Sequence, residues 1–360
     1  MLTRSLPLPV LTSSIKLDPG GPKRGKSLAQ TRPNPVPGGT RNEVLECSAL
    51  MTVRKLFIDE HGRLRSGWRV AVFAVALLIC LNVLQAIALV LIHLAFGPTA
   101  PEVLTGSFGF LISAAVLFAS AALAGWACGA CLEKLPFGSL GWSLHRGWFR
   151  NAAIGSLVGA LSLFLAVALA MISRGLKFSP DSVAATSIAT TVLASAAVFI
   201  FAAAAEEVLF RGYPLQTLTR ANLAWLGVAL TSVPFAAVHL KNPNVSPVFT
   251  FINTTLAGVW LAVAYLRTRS LWFPLGIHWS WNWAQASLLG LPVSGINNLA
   301  PAPLLHSMNA GPAWLTGGAY GIEGGAACSV ALVISTVVIW RLKLIARADV
   351  PTNECQKPAR

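Results

Sequence analysis

The chain has 360 residues, of which 55% are hydrophobic and only 11% charged, against roughly 25% charged in a soluble globular domain. With a mean hydropathy of +0.65, a water-soluble fold is excluded, because no interior of this size hides so much apolar surface. The net charge of +14 would suggest nucleic acid in a soluble protein. No nucleic-acid module accompanies it, and the basic residues lie in tails and loops. Membrane orientation and anionic headgroups explain that charge better.

In chain order, residues 1–66 read as a disordered basic N-terminal tail. Met1 to Thr40 are rich in Pro, Gly, Ser and Lys/Arg and carry no long apolar run. Met51 opens a segment that looks like a natural start, so residues 1–50 are expected to be a start-site artefact. Residues 67–346 form the membrane domain, and 347–360 a cytoplasmic tail. Eight apolar segments are expected near Val70–Phe96, Phe108–Leu132, Ala152–Ile172, Ala184–Ala205, Leu223–Leu240, Val248–Leu266, Leu271–Leu289 and Ala326–Ile345. The runs are continuous rather than alternating, so they predict helices, which also satisfy their own backbone polar groups in lipid. The fold class is thus an all-α polytopic bundle of about eight transmembrane helices.

Loops rich in Lys and Arg mostly alternate with bare ones. Lys134, Arg146 and Arg150 follow the second segment, Arg211 and Arg220 the fourth, and Arg267 and Arg269 the sixth. The long loop Gly290–Gly325 has neither Lys nor Arg. By the positive-inside rule both termini face the cytoplasm, and the cell (plasma) membrane is the expected location. Arg174, Lys177 and Lys241 fit this scheme less well. Trp68, Trp148, Trp225, Trp272 and Trp340 fall near segment ends, as interfacial rings do. Cys128 and Cys131 form a lone CxxC in Ala/Gly-rich helix sequence and read as small packing residues, not as half of a zinc ribbon.

Of the thirteen acidic residues, eleven fall in tails or loops, Glu323 among them. Glu206 and Glu207 remain, at the end of a long apolar run. An acid at the bilayer centre costs roughly 2.5–3.5 kcal/mol, so two adjacent acids need partners or a wet cavity. Among the histidines, His239 and His278 belong to apolar segments, and Asn282 lies one turn after His278 on the same face. Glu206 is fifteen residues before the turn near Ala221 and His239 eighteen after it. Both therefore lie roughly 20–27 Å from that turn, with His278 and Asn282 roughly 12–18 Å into the seventh segment. Three non-adjacent segments deliver polar groups to one level. Adjacent helix positions point about 100° apart. Glu207 is assigned to an i,i+4 ion pair with Arg211, which leaves Glu206 to face a cavity as general base or acid.

Read together, the motifs are EEVLFR from Glu206 to Arg211, FAAVH from Phe235 to His239, and HWSWN from His278 to Asn282. This ordered triple resembles the CAAX protease and bacteriocin-processing (CPBP, Abi) family of intramembrane proteases, which includes the prenyl-protein endopeptidases. The resemblance covers roughly Met51 to Arg347. It implies an eight-helix bundle acting as an intramembrane endopeptidase. It further implies that Glu206 and His239 activate a water for attack on a peptide carbonyl, and that His278 and Asn282 hold the developing oxyanion. Glu207, Arg211 and Phe235 are the supporting residues.

Glu206, His239 and His278 could also supply a zinc set of two His and one Glu with an open position. No HExxH is present, and Asn282 is a poor zinc ligand but a good donor, so the metal-free, glutamate-type mechanism without a cofactor is favoured. Trp279, Trp281 and Trp283 surround the same turn; one or two are candidates for the pocket wall, with packing and interfacial belt roles as the equal alternative. The loop LPVSGINN is a candidate cap. The expected partners are the lipid bilayer and a membrane protein or peptide substrate. The rival classes are a membrane transporter using the Glu/His network as a proton path and a catalytically silent immunity or scaffold protein.

Overall fold

The structure is a computed structural model that describes residues 55–60, 62–180, 183–297, 299–343 and 347. Contacts define a compact unit over Val53–Arg360, to which all described residues belong. Of the expected tail over residues 1–66, residues 1–54 and 61 lie outside the described residues, as do 348–360 of the tail over 347–360.

A helix stands at each of the eight expected apolar segments. They are α1 (Ser66–Phe96), α2 (Gly106–Glu133), α3 (Trp148–Ile172), α4 (Ala185–Arg211), α6 (Ala224–His239), α7 (Pro247–Thr268), α8 (Trp272–Trp283) and α9 (Ala326–Arg341), with the short α5 (Tyr213–Arg220) between α4 and α6. Among the described residues five spans are long and apolar enough to cross a membrane: α1 with its short extension to Val103, α2, α3, α4 continued by α5, and α7. The helices α6 and α9 are apolar but shorter, and α8 has only 12 residues. The chain is an integral, multi-pass helical membrane protein. The outward faces of α1 carry Leu78, Ile79, Leu91 and Leu94, all exposed, as a lipid-facing helix requires.

Two departures from the sequence expectation coincide with contacts between distant segments. The seventh segment is not one α-helix: α8 gives way to a π-helical turn over Ala284–Leu288, where Ser287 bonds Ser195 Oγ at 2.6 Å. The long loop after it is ordered by pairing. Leu305–Asn309 (β2) runs antiparallel to Leu176–Pro180 (β1), with Leu176 opposite Asn309.

Small residues set the helix spacing. α3 lies directly against α8, where a Cβ on Gly159 would overlap the Ile277 carbonyl and Ser280 Oγ. The contact is reciprocal, since a Cβ on Gly276 would overlap the Ala152 carbonyl. Close backbone approach of this kind drives helix association in lipid, where hydrophobicity does not. Similarly, a Cβ on Gly258 of α7 would come within 2.7 Å of Ser232 on α6. At the basic end, the Glu133 carboxylate gathers α1, α2 and α5. It accepts from Arg220 at 2.9 and 3.1 Å and from Thr217 Oγ1 at 2.6 Å, and pairs with Arg69 at 3.3 Å.

These contacts predict that Gly159→Val destabilises the protein by about 1–3 kcal/mol. A lower midpoint in detergent thermal unfolding is expected, with no change for Gly67→Ala, whose Cβ would meet nothing within 4 Å.

Candidate active site

Three helices deliver the candidate side chains: α4 carries Glu206 and Glu207, α6 carries His239, and α8 carries His278 and Asn282. The turn of α4 before Arg211 presents Glu206 and Glu207 on two faces, as their 100° separation requires. Glu207 is fully buried, whereas the Glu206 side chain keeps 29% of its surface. Glu206 faces a cavity of about 280 Å³, together with Phe235, His239, His278 and Asn282. The structure thus brings together the four residues singled out for chemistry.

Glu207 does more than the expected i,i+4 pairing. Its Oε1 accepts from Arg211 Nη1 at 3.0 Å and also from His278 Nδ1 at 2.8 Å. Arg211 in turn donates from Nη2 to the Gly258 carbonyl at 3.1 Å, and its guanidinium lies 4.7 Å from the centroid of Phe235, a cation–π contact. One buried carboxylate therefore links α4, α7 and α8 and fixes the orientation of His278. With Nδ1 committed, His278 Nε2 points to the Glu206 side, 3.5 Å from Oε2. That oxygen is buried and has no hydrogen-bond partner among the described residues.

His239 is the last residue of α6, where its Nδ1 donates to the Phe235 carbonyl at 2.7 Å. Only the Nδ1-protonated tautomer satisfies that bond in a neutral ring, which leaves Nε2 as an acceptor. Phe235 packs on the same imidazole at 4.6 Å and on His278 at 6.3 Å, edge to face. It therefore spaces the two rings as well as covering Arg211.

The tryptophans divide their work. Trp281 lines the cavity and meets Trp260 edge-on at 5.6 Å. Trp279 and Trp283 stack at 5.4 Å and donate to the carbonyls of Ala196 and Val192 at 3.0 Å each, tying α8 to α4. The LPVSGINN loop contributes Val293, Ser294 and Ile296 to the cavity wall.

Glu323, set aside with the loop acids in the sequence, also lines this cavity. It sits in a 3₁₀ turn over Ile322–Gly324 and accepts from the Ser294 N–H at 2.5 Å and Ser294 Oγ at 3.1 Å. The signal that could have found it is the glycine density of Gly317–Gly325 directly before the last apolar segment. Such density marks close backbone approach, and a Cβ on Gly321 would overlap the Pro292 carbonyl.

Among the described residues no three His, Cys, Asp or Glu side chains are grouped to hold a metal ion. In His278 and His239 the Nδ1 atoms are bonded to Glu207 and to the Phe235 carbonyl, which leaves Nε2 as the remaining nitrogen of each ring.

The fold and cavity define a multi-pass membrane protein with an acid–histidine centre among its helices. The family model described as Type II CAAX prenyl endopeptidase Rce1-like matches residues 188–284. The match includes Glu206, Glu207, Arg211, Phe235, His239, His278 and Asn282, and stops short of Glu323. An Escherichia coli protein described as an uncharacterized 24.3 kDa protein is 31% identical over 153 residues, which is 40% of this chain and 66% of that protein. The chain thus spans a little under two thirds of that relative's length. No solved structure matches.

The buried network predicts a large asymmetry between single and paired substitutions. Removing one partner of a buried ion pair costs about 3–5 kcal/mol, whereas replacing both by apolar groups is often close to neutral. Arg211→Met should therefore lower the unfolding midpoint sharply, and the double variant Glu207→Leu/Arg211→Met should recover part of that loss in a double-mutant cycle.

Proposed function

We propose that the chain is an intramembrane endopeptidase of the glutamate type, acting on a membrane protein or peptide. The observation that supports it best is the cavity in which Glu206, His239, His278 and Asn282 meet. A water between Glu206 and His239 Nε2 gives up a proton to this pair as its oxygen adds to the peptide carbonyl. The carbonyl electron pair moves to oxygen, where His278 Nε2–H and the Asn282 amide donate to the oxyanion. Collapse of the adduct breaks the C–N bond, and the departing amine takes back the proton. The Glu207 bond to His278 Nδ1 supports the donor role, because it keeps a carboxylate behind the imidazole as Nε2 meets negative charge. No cofactor takes part in this scheme.

The same reading takes all eight helices as membrane segments, with both termini in the cytoplasm and the plasma membrane as the site of action. Short α6, α8 and α9 are compatible with it, since polar loops at their ends fold over the cavity and not into lipid. A transporter or a silent scaffold built on the same network would lack the hydrolytic step.

The test is a survey of protein termini in membranes from cells expressing wild type, Glu206→Ala and His239→Ala at matched levels. New ends are expected with wild type and a loss of at least about 100-fold in each variant, the scale of a general base. Identical profiles in all three would overturn the protease reading in favour of the transport or scaffold classes. The wild-type ends are expected to persist when a chelator is added.

A further inference from the structure

The wall of the cavity is asymmetric along the helices. Its loop residues are Asn242, Val293, Ser294, Ile296, Leu299 and Glu323. All lie in two connections, 240–246 before α7 and 289–325 before α9. Those connections meet at one end of the bundle, where Asn242 donates to the Ser294 carbonyl at 3.1 Å. The Asn253 side chain, in the second turn of α7, donates to the Glu323 and Gly325 carbonyls at 2.7 and 2.9 Å. Helices α7 and α9 then run side by side in the same direction, and Arg267 meets the Leu342 carbonyl at the far end. No residue of the connections 134–147, 212–223 or 269–271 lines the cavity among the described residues.

The two ends of the cavity also differ in closure. Next to Glu206 and His278, the Glu207 and Arg211 side chains are completely buried, with Arg211 packed against Phe235. That end is sealed. At the other end Asn242, Ser294 and Ile296 are only half-buried, and Val238 keeps 51% of its surface while lining the cavity. The loop that borders this opening is held in place, because Glu323 accepts from the Ser294 N–H and hydroxyl and bonds the Gln285 side chain as well. The mouth therefore lies at the end of the polar loops.

Charge separates the same two ends. Arg146, Arg220, Arg267, Arg269, Arg341 and Lys343 gather at the sealed end. The connections 97–105 and 289–325 have no Lys or Arg, and the mouth end holds only Arg174, Lys177 and Lys241 in its remaining loops. Basic loops stay in the cytoplasm, which puts the sealed floor on that side.

We infer that the cavity opens to the non-cytoplasmic face of the membrane, and that the peptide it takes is an outer segment of an exported or membrane-anchored protein. This rests on the protease reading for the nature of the ligand, and on loop charge for the side. The floor that carries Glu206 is reached from the mouth by passing the Asn242–Ser294 loops. A cytoplasmic tail would meet the buried Glu207–Arg211 pair instead.

The test reads access to the floor and requires no substrate. Full-length protein in sealed spheroplasts of an expressing bacterium is treated with a methanethiosulfonate that carries a quaternary ammonium. Three variants are compared by mass spectrometry of the peptide bearing the new thiol. Glu206→Cys reports the floor, where the native side chain keeps 29% of its surface. Met308→Cys reports the exposed β2 strand at the mouth end, and Arg146→Cys the exposed loop at the sealed end. Met308→Cys and Glu206→Cys should be modified in sealed spheroplasts. Arg146→Cys should react at least about tenfold faster once the membrane is permeabilised, because a bilayer excludes the charged reagent. A Glu206→Cys thiol that follows Arg146→Cys overturns the proposal, as does one that stays unmodified in both states. Exchange of Met308→Cys and Arg146→Cys overturns it too, since the mouth would then face the cytoplasm. Because nothing is cleaved in this assay, its failure is separate from a failure of Glu206→Ala to abolish proteolysis.

Discussion

The Glu207 carboxylate is the constraint on which the site depends. Buried between helices, it cannot remain without partners, and the chain answers with two cations or donors on one oxygen, Arg211 at 3.0 Å and His278 at 2.8 Å. Arg211 brings the same problem and meets it with the Gly258 carbonyl and the face of Phe235. That carbonyl is reachable because α7 lies close to α6 at Gly258 and Ser232. The electrostatic need of one acid therefore fixes the relative positions of α4, α6, α7 and α8. The chemistry of the cavity is arranged on the groups left over, namely the second carboxylate at Glu206 and the outward nitrogens of two histidines.

The two imidazoles share a logic with different partners. Each commits Nδ1 and presents Nε2. His239 commits it to a neutral carbonyl and His278 to a carboxylate. A ring backed by a carbonyl is poised as an acceptor, and a ring backed by a carboxylate is better suited to carry a proton on both nitrogens. In the proposed mechanism the first arrangement serves a base and the second an oxyanion donor.

Much of this was legible in the sequence because lipid makes polar groups conspicuous. Glu206, Glu207, His239 and His278 interrupt apolar runs, and the cost of placing them there is high enough to make accident a poor explanation. Helix periodicity then separated Glu206 from Glu207, and the i,i+4 spacing found Arg211. The same logic was blind to the bond between Glu207 and His278, which lie 71 residues apart and meet only through the packing of α8 on α4. It also misjudged Glu323. An acid in a loop carries no penalty in a sequence reading, and only the glycine density around it marked the 3₁₀ turn that lines the cavity. The π-helical turn at Ala284–Leu288 was hidden for a related reason: its cause is a tertiary bond between Ser287 and Ser195, not a local residue preference.

Helix length explains why polar loops can reach the site. A 16-residue helix such as α6 or α9 rises about 24 Å and the 12 residues of α8 about 18 Å, against a hydrocarbon core of about 30 Å. Irregular backbone at such depth is tolerated only where protein or water satisfies it. The Val293–Ile296 turn meets this condition through its own paired N–H and carbonyl groups, the Asn242 and Asn244 side chains and the Glu323 carboxylate. Short helices and a densely bonded polar cap are therefore one arrangement. Extending α6 by a turn to suit the bilayer would carry Asn242 away from Ser294 and remove its bond to the loop that lines the cavity.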